Sequence, residues 1–175
     1  MTEYIPIEQI LGTEQLERFI VTARHYCLLI EDKQLVLPEV FLPQTRRVLL
    51  DLYSAALSLE WVDLQSNADP EVEKINLPAI LHLVADKTGE NRFYWSVFDP
   101  TSMEETDAGC DDLLDDLGDI YQDLKYSLLL FDLQTNDGLE NAVWGFKSDF
   151  TTHWGQHCIN ALRALHYFIQ KIEAT

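Results

Sequence analysis

Apolar residues recur at steps of three and four through most of this chain, and each such run predicts a helix with one face against a core. Leu16, Phe19, Ile20, Ala23, Cys27 and Ile30 form the first stripe. A helix is therefore expected after Gly12, with Thr13 as N-cap, running to about Asp32. Val48, Leu52, Ala55, Ala56 and Leu59 form the second, from about Gln44 to Leu59, with Pro43 near its first turn. A third helix spans about Pro78 to Lys87 and stops at Gly89. The strongest pattern lies in Asp111 to Leu133, where Leu113, Leu117, Ile120, Tyr121, Leu124 and Leu128 share a face. After a turn at 134–138, with Asn136 or Asp137 as cap, a helix from about Leu139 to Lys147 leads to a last one, from about Phe150 to Glu173. These are one bent helix or two joined at a Ser148 or Asp149 cap, and Trp154, Cys158, Leu162, Leu165, Phe168 and Ile169 face inward from the last.

Two stretches break the helical rhythm. Residues 66–76 are polar, contain Pro70 and read as a loop. Arg92 to Pro100, RFYWSVFDP, favours strand by composition, but no partner strand is evident elsewhere. It is expected to be an ordered aromatic linker whose Phe93, Trp95 and Phe98 fill gaps between helices, followed by an acidic loop at 101–109. No repeat or linker divides the chain. The expected fold is a single all-α domain over residues 1–175, a compact bundle of about five or six helices with one short extended aromatic segment.

Charge narrows the function. Thirty acidic against twelve basic residues give a formal net charge of −18. That balance argues against direct nucleic-acid binding, which needs clustered Lys and Arg, and against binding to anionic membranes. The same field would draw in a cation or a basic protein surface, and its plainer reading is that it serves solubility. Cys27, Cys110 and Cys158 are odd in number and lack CxxC spacing, which suits a reducing cytoplasm. The acidic start, MTEYIPIEQILGTEQ, is unlike a signal peptide, so a cytoplasmic location is expected.

Chemistry is concentrated in two helices. Asp112, Asp116, Asp119 and Asp123 run beside the apolar face of the central helix at steps of four, three and four. Like charges so spaced repel, and Gly118 in mid-helix costs about 1 kcal/mol relative to Ala, so a compensating partner is expected nearby. In the last helix His153 and His157 are four apart, with Asn160 continuing the line. Two imidazoles at that spacing can hold a transition metal, and the Asp stripe is the obvious source of further ligands. The sequence lacks HExxH and ExxH, so the same residues also suit a histidine–aspartate network with no metal. Metal candidates are His153, His157, Asp116 and Asp119, and no catalytic residue is assigned. Cys27 lies on an apolar face away from His25, which suits a structural thiol. Tyr121 and Trp154 are expected to be core residues with their polar ends satisfied.

DDLGDIYQDLKYSL, residues 115–128, and HWGQHCINALRALH, residues 153–166, resemble the two strongest blocks of an uncharacterised bacterial family, domain of unknown function 5063. Weaker resemblance covers FIVTARHYCLLIE at 19–31, LYSAAL at 52–57 and YWSVFDP at 94–100. Gln156 stands where a basic residue is common in that family, and Gly145 where a larger one is. The resemblance implies a bacterial, cytoplasmic, all-helical domain and brings no activity with it. The first expectation is a non-enzymatic binding module whose acidic surface meets a basic partner or a cation and needs no cofactor. The alternative is a metal-dependent enzyme using the His pair and the Asp stripe, and a lesser alternative is imitation of nucleic acid.

Overall fold

The computed structural model describes residues 4–97, 99–102, 104 and 107–174. Phe98 and part of the acidic loop at 101–109 lie outside the described residues. The elements are β1 (Tyr4–Ile5), α1 (Glu14–Glu31), α2 (Pro38–Ala56), β2 (Trp61–Val62), α3 (Leu77–Thr88), β3 (Phe93–Ser96), β4 (Gly109–Asp112), α4 (Leu113–Asp132), α5 (Asn136–Asp149) and α6 (Gly155–Glu173). Helix α4 packs against α1, α3, α5 and α6, while α2 covers α1 and α6 from the other side. The core is a helical bundle built on α4, as its periodicity indicates. No helix among the described residues is long and apolar enough to cross a membrane.

Helix α1 begins where its cap lies: Thr13 accepts a hydrogen bond from the Leu16 amide. Helix α2 starts at Pro38, six residues earlier than expected, and Pro43 sits inside it. An interior proline costs roughly 3 kcal/mol through a lost hydrogen bond and a clash. Phe41 and Leu42, fully buried in the added turns, offset that with roughly 1.5–3 kcal/mol each. Helix α3 is capped by Asn76 and stops at Gly89, whose φ of 57° lies in the left-handed region. Gly118 is explained by α3: a Cβ there would stand 2.6 Å from Leu81 Cδ2, so its bare backbone admits a close approach of the two helices.

The aromatic segment is corrected. Residues Phe93–Ser96 form a strand, paired antiparallel with Gly109–Asp112 so that Phe93 faces Asp112 and Ser96 faces Gly109. The partner is short and rich in Asp and Gly, residues poor in strand propensity, which hid it. Alternation along β3 turns Phe93 and Trp95 outward, 61% and 70% exposed, and they fill no gap between helices. The central helix accordingly begins at Leu113, two residues later than expected. A second small sheet pairs β1 with β2 in parallel.

The join after α5 is neither a simple bend nor a capped break. Thr135, rather than Asn136 or Asp137, caps α5 through a bond to the Gly138 amide. A π turn, Phe150–Trp154, then carries the chain into α6, and neither Ser148 nor Asp149 caps it. Tyr121 donates to Glu31 at 2.7 Å, as its polar end requires. The indole N–H of Trp154 differs from expectation: it is buried without a partner among the described residues, with the ring against Phe19 and Phe150.

Candidate functional site

Helix α4, the π turn and the start of α6 lie side by side, and this brings the two polar patterns of the sequence together. His157 Nδ1 lies 2.9 Å from Asp116 Oδ1, and its Nε2 lies 3.4 Å from Asp119 Oδ2. His153 Nδ1 lies 2.7 Å from Asp123 Oδ2. The two imidazole centroids are 4.9 Å apart. The acidic stripe therefore finds its compensation in the histidines one helix away.

Asp112 does not join them. It ends β4, accepts the Leu114 amide at 3.0 Å as N-cap of α4, and takes both Nε and Nη2 of Arg92. Its place in the strand, outside the helix, breaks the four-residue spacing that grouped it with Asp116. Asn160 lines the cleft one turn beyond His157.

Two contributors escaped the sequence reading. Tyr94 donates its hydroxyl to Asp116 Oδ2, and Ser96 donates to Asp111. Both lie on the inward face of β3, and period-two alternation with the outward Phe93 and Trp95 was the signal that marked them. Asp149, at the end of α5, lies in the field of Asp123 and His153.

Burial sets the electrostatics. It pushes the Asp116 carboxyl above its ordinary range, against the pull of its bonds from His157 and Tyr94. His157 is raised chiefly by its hydrogen bond to Asp116. Both shifts let the pair hold its shared proton to higher pH. Burial also raises Asp123, and it lifts Asp149 to about 6, with the Asp123 charge adding to the effect. Burial raises the Tyr94 phenol, and its bond to Asp116 adds to this. Cys27 is buried and its thiol is pushed up to about 12, which leaves it unreactive.

Asp116, His153 and His157 border an open cleft of about 640 Å³ between the β3–β4 hairpin, α4 and α6. Its described lining includes Asp107, Asp111, Asp112, Asp115 and Asp116 together with His153 and His157, and no Lys or Arg. One ring nitrogen from each histidine and a carboxylate oxygen of Asp119 lie within 4.8 Å of one another. Such an arrangement can bind a cation or exchange protons.

A family model described as Domain of unknown function (DUF5063) matches residues 12–171. Among solved structures, the crystal structure of protein BF1032 from Bacteroides fragilis, a structural genomics target, is similar at a TM-score of 0.77 and 23% identity. The match covers 90% of this chain and 93% of that one, and at this identity it speaks for the fold alone. A comparison with curated proteins found no match.

Proposed function

We propose, starting from the fact that the chain belongs to the DUF5063 family, that it is a binding domain whose cleft takes up a positively charged ligand. The observation that carries this reading is the lining of the cleft: five aspartates beside two histidines and, among the described residues, no Lys or Arg. Carboxylates gathered in a concave site focus a negative field, which raises the local concentration of cations and repels anions. The burial of Asp116 within the cleft wall favours a small cation or a single basic side chain over a broad basic surface. Nucleic-acid imitation needs outward carboxylates spaced over a large face, whereas Asp116, Asp119 and Asp123 all lie against histidines.

A ligand that prefers the native state raises its melting midpoint, by about 2.7 kcal/mol of stability at a hundredfold excess over Kd. The test is thermal unfolding and titration calorimetry of EDTA-dialysed protein with divalent ions, spermidine and arginine amide, and with citrate as an anionic control. Saturable binding of at least one cation, weakened in an Asp111→Asn/Asp115→Asn variant, is expected. Binding of citrate, or no saturable binding of any cation, would overturn the reading.

A further inference from the structure

Resting on that reading of the cleft, we propose that its edge holds a transition-metal ion, ligated by His153, His157 and Asp119. A charged carboxylate only accepts hydrogen bonds, so the Nδ1 atoms of His153 and His157, each against an aspartate, carry protons. In the neutral ring this leaves Nε2 with an open lone pair. Metal-binding histidines are held in the same way, with the non-ligating nitrogen donating to a carboxylate that fixes the tautomer and raises ligand basicity. Asp123 and Asp116 fill that positioning role, and Tyr94 in turn holds Asp116.

The contact between His157 Nε2 and Asp119 Oδ2 is a second, independent observation. In the neutral ring, with Nδ1 as the donor, these are two acceptors facing each other at 3.4 Å, whereas in the imidazolium Nε2 also carries a proton and points it at Asp119. A charge-assisted N–H···O bond would draw them to roughly 2.7–2.9 Å. Zinc binds nitrogen and oxygen at about 2.0–2.1 Å, so two ligand atoms on a tetrahedral ion stand about 3.3 Å apart. The observed gap matches the edge of a tetrahedral site. The third ligand comes from His153, whose side chain is 49% exposed. Closing the trio from its 4.8 Å spread to a tetrahedral edge takes a shift of about 1.5 Å. Two nitrogens and one carboxylate suit zinc, cobalt or nickel better than magnesium or calcium, which prefer all-oxygen sites.

Three protein ligands leave a fourth position for water or for a ligand in the cleft. The π turn supports the pair, since such one-turn insertions recur at functional sites and this one sets where His153 stands relative to His157.

The test is titration of EDTA-dialysed full-length protein with Co²⁺, read by its visible absorption, with Zn²⁺ competition and with Mg²⁺ and Ca²⁺ as controls. One equivalent of Co²⁺ with intense tetrahedral bands, displaced by Zn²⁺ and not by Mg²⁺, is expected. His157→Ala removes a partner of a buried carboxylate and risks the fold. Asp119→Asn keeps the shape and should weaken Co²⁺ binding by at least about tenfold, with an unchanged circular dichroism spectrum. An octahedral spectrum, equal response to Mg²⁺, or Co²⁺ affinity unchanged in Asp119→Asn would overturn the metal site. Should spermidine or arginine amide bind while Co²⁺ does not, the metal inference falls and the cationic cleft stands. If no cation binds, both fall.

Discussion

The Asp149 side chain makes no hydrogen bond or ion pair among the described contacts, yet it lies partly buried near Asp123. Its folded pKa of about 6 exceeds the ordinary 3.8, so ionisation works against the fold. The associated stability is fully present below about pH 4 and is lost as pH rises through about 6. Asp149→Asn should therefore stabilise metal-free protein at about pH 8, by roughly 1 kcal/mol once solvent screening of this part-exposed group is allowed for. Urea melts of both proteins at about pH 8 and pH 4 read this directly. A gain that persists undiminished at the lower pH would refute the assignment. Asp149 was considered in the sequence only as a cap, because its charge environment comes from residues on other elements. Asp116, Asp119 and Asp123 were legible as a stripe with the histidine pair as counterpart, since regular spacing is visible in one dimension.

At the scale of elements, the helices built on long apolar stripes were legible, and the connections were not. The extra turns of α2 were hidden because Pro43 read as a start signal, while burial of Phe41 and Leu42 overrides it. Strand β4 was hidden because Gly109 to Asp112 are poor in strand propensity and pair only once β3 lies beside them. The π turn has no composition signal apart from Gly155. A Cβ there would lie 2.2 Å from the Phe150 carbonyl oxygen, a backbone atom that cannot step aside alone. Gly155→Ala should cost about 1–3 kcal/mol, the range for forced overpacking. It should also weaken cobalt binding by shifting His153 relative to α6. Chemical denaturation with a parallel cobalt titration decides it, and a variant as stable as the parent would show that the turn tolerates a side chain.

For the whole molecule the relevant quantity is the net charge of −18. Self-repulsion at that charge opposes compaction, and mobile ions screen it over roughly 8–10 Å at physiological ionic strength. The melting midpoint should rise by a few degrees from low-salt buffer to about 0.15 M sodium chloride. A fall would mean that attractive pairs such as Arg24 with Asp132 outweigh the repulsion. Fold class and family follow the sequence reading, since a helical bundle is written in periodicity and the family in the blocks at 115–128 and 153–166, while the cleft needed the third dimension. The junction of hairpin and bundle has a mechanical consequence. Strand β4 ends at Asp112 and α4 begins at Leu113, and the Leu113 amide is tied to the Arg92 carbonyl at 2.9 Å. With no slack residue between them, the hairpin and the first turn of α4 form a single lever. A ligand that presses on the hairpin therefore pulls directly on the N-terminal turn of the helix that carries Asp116 and Asp119, and the packing of α4 against four other helices resists that pull.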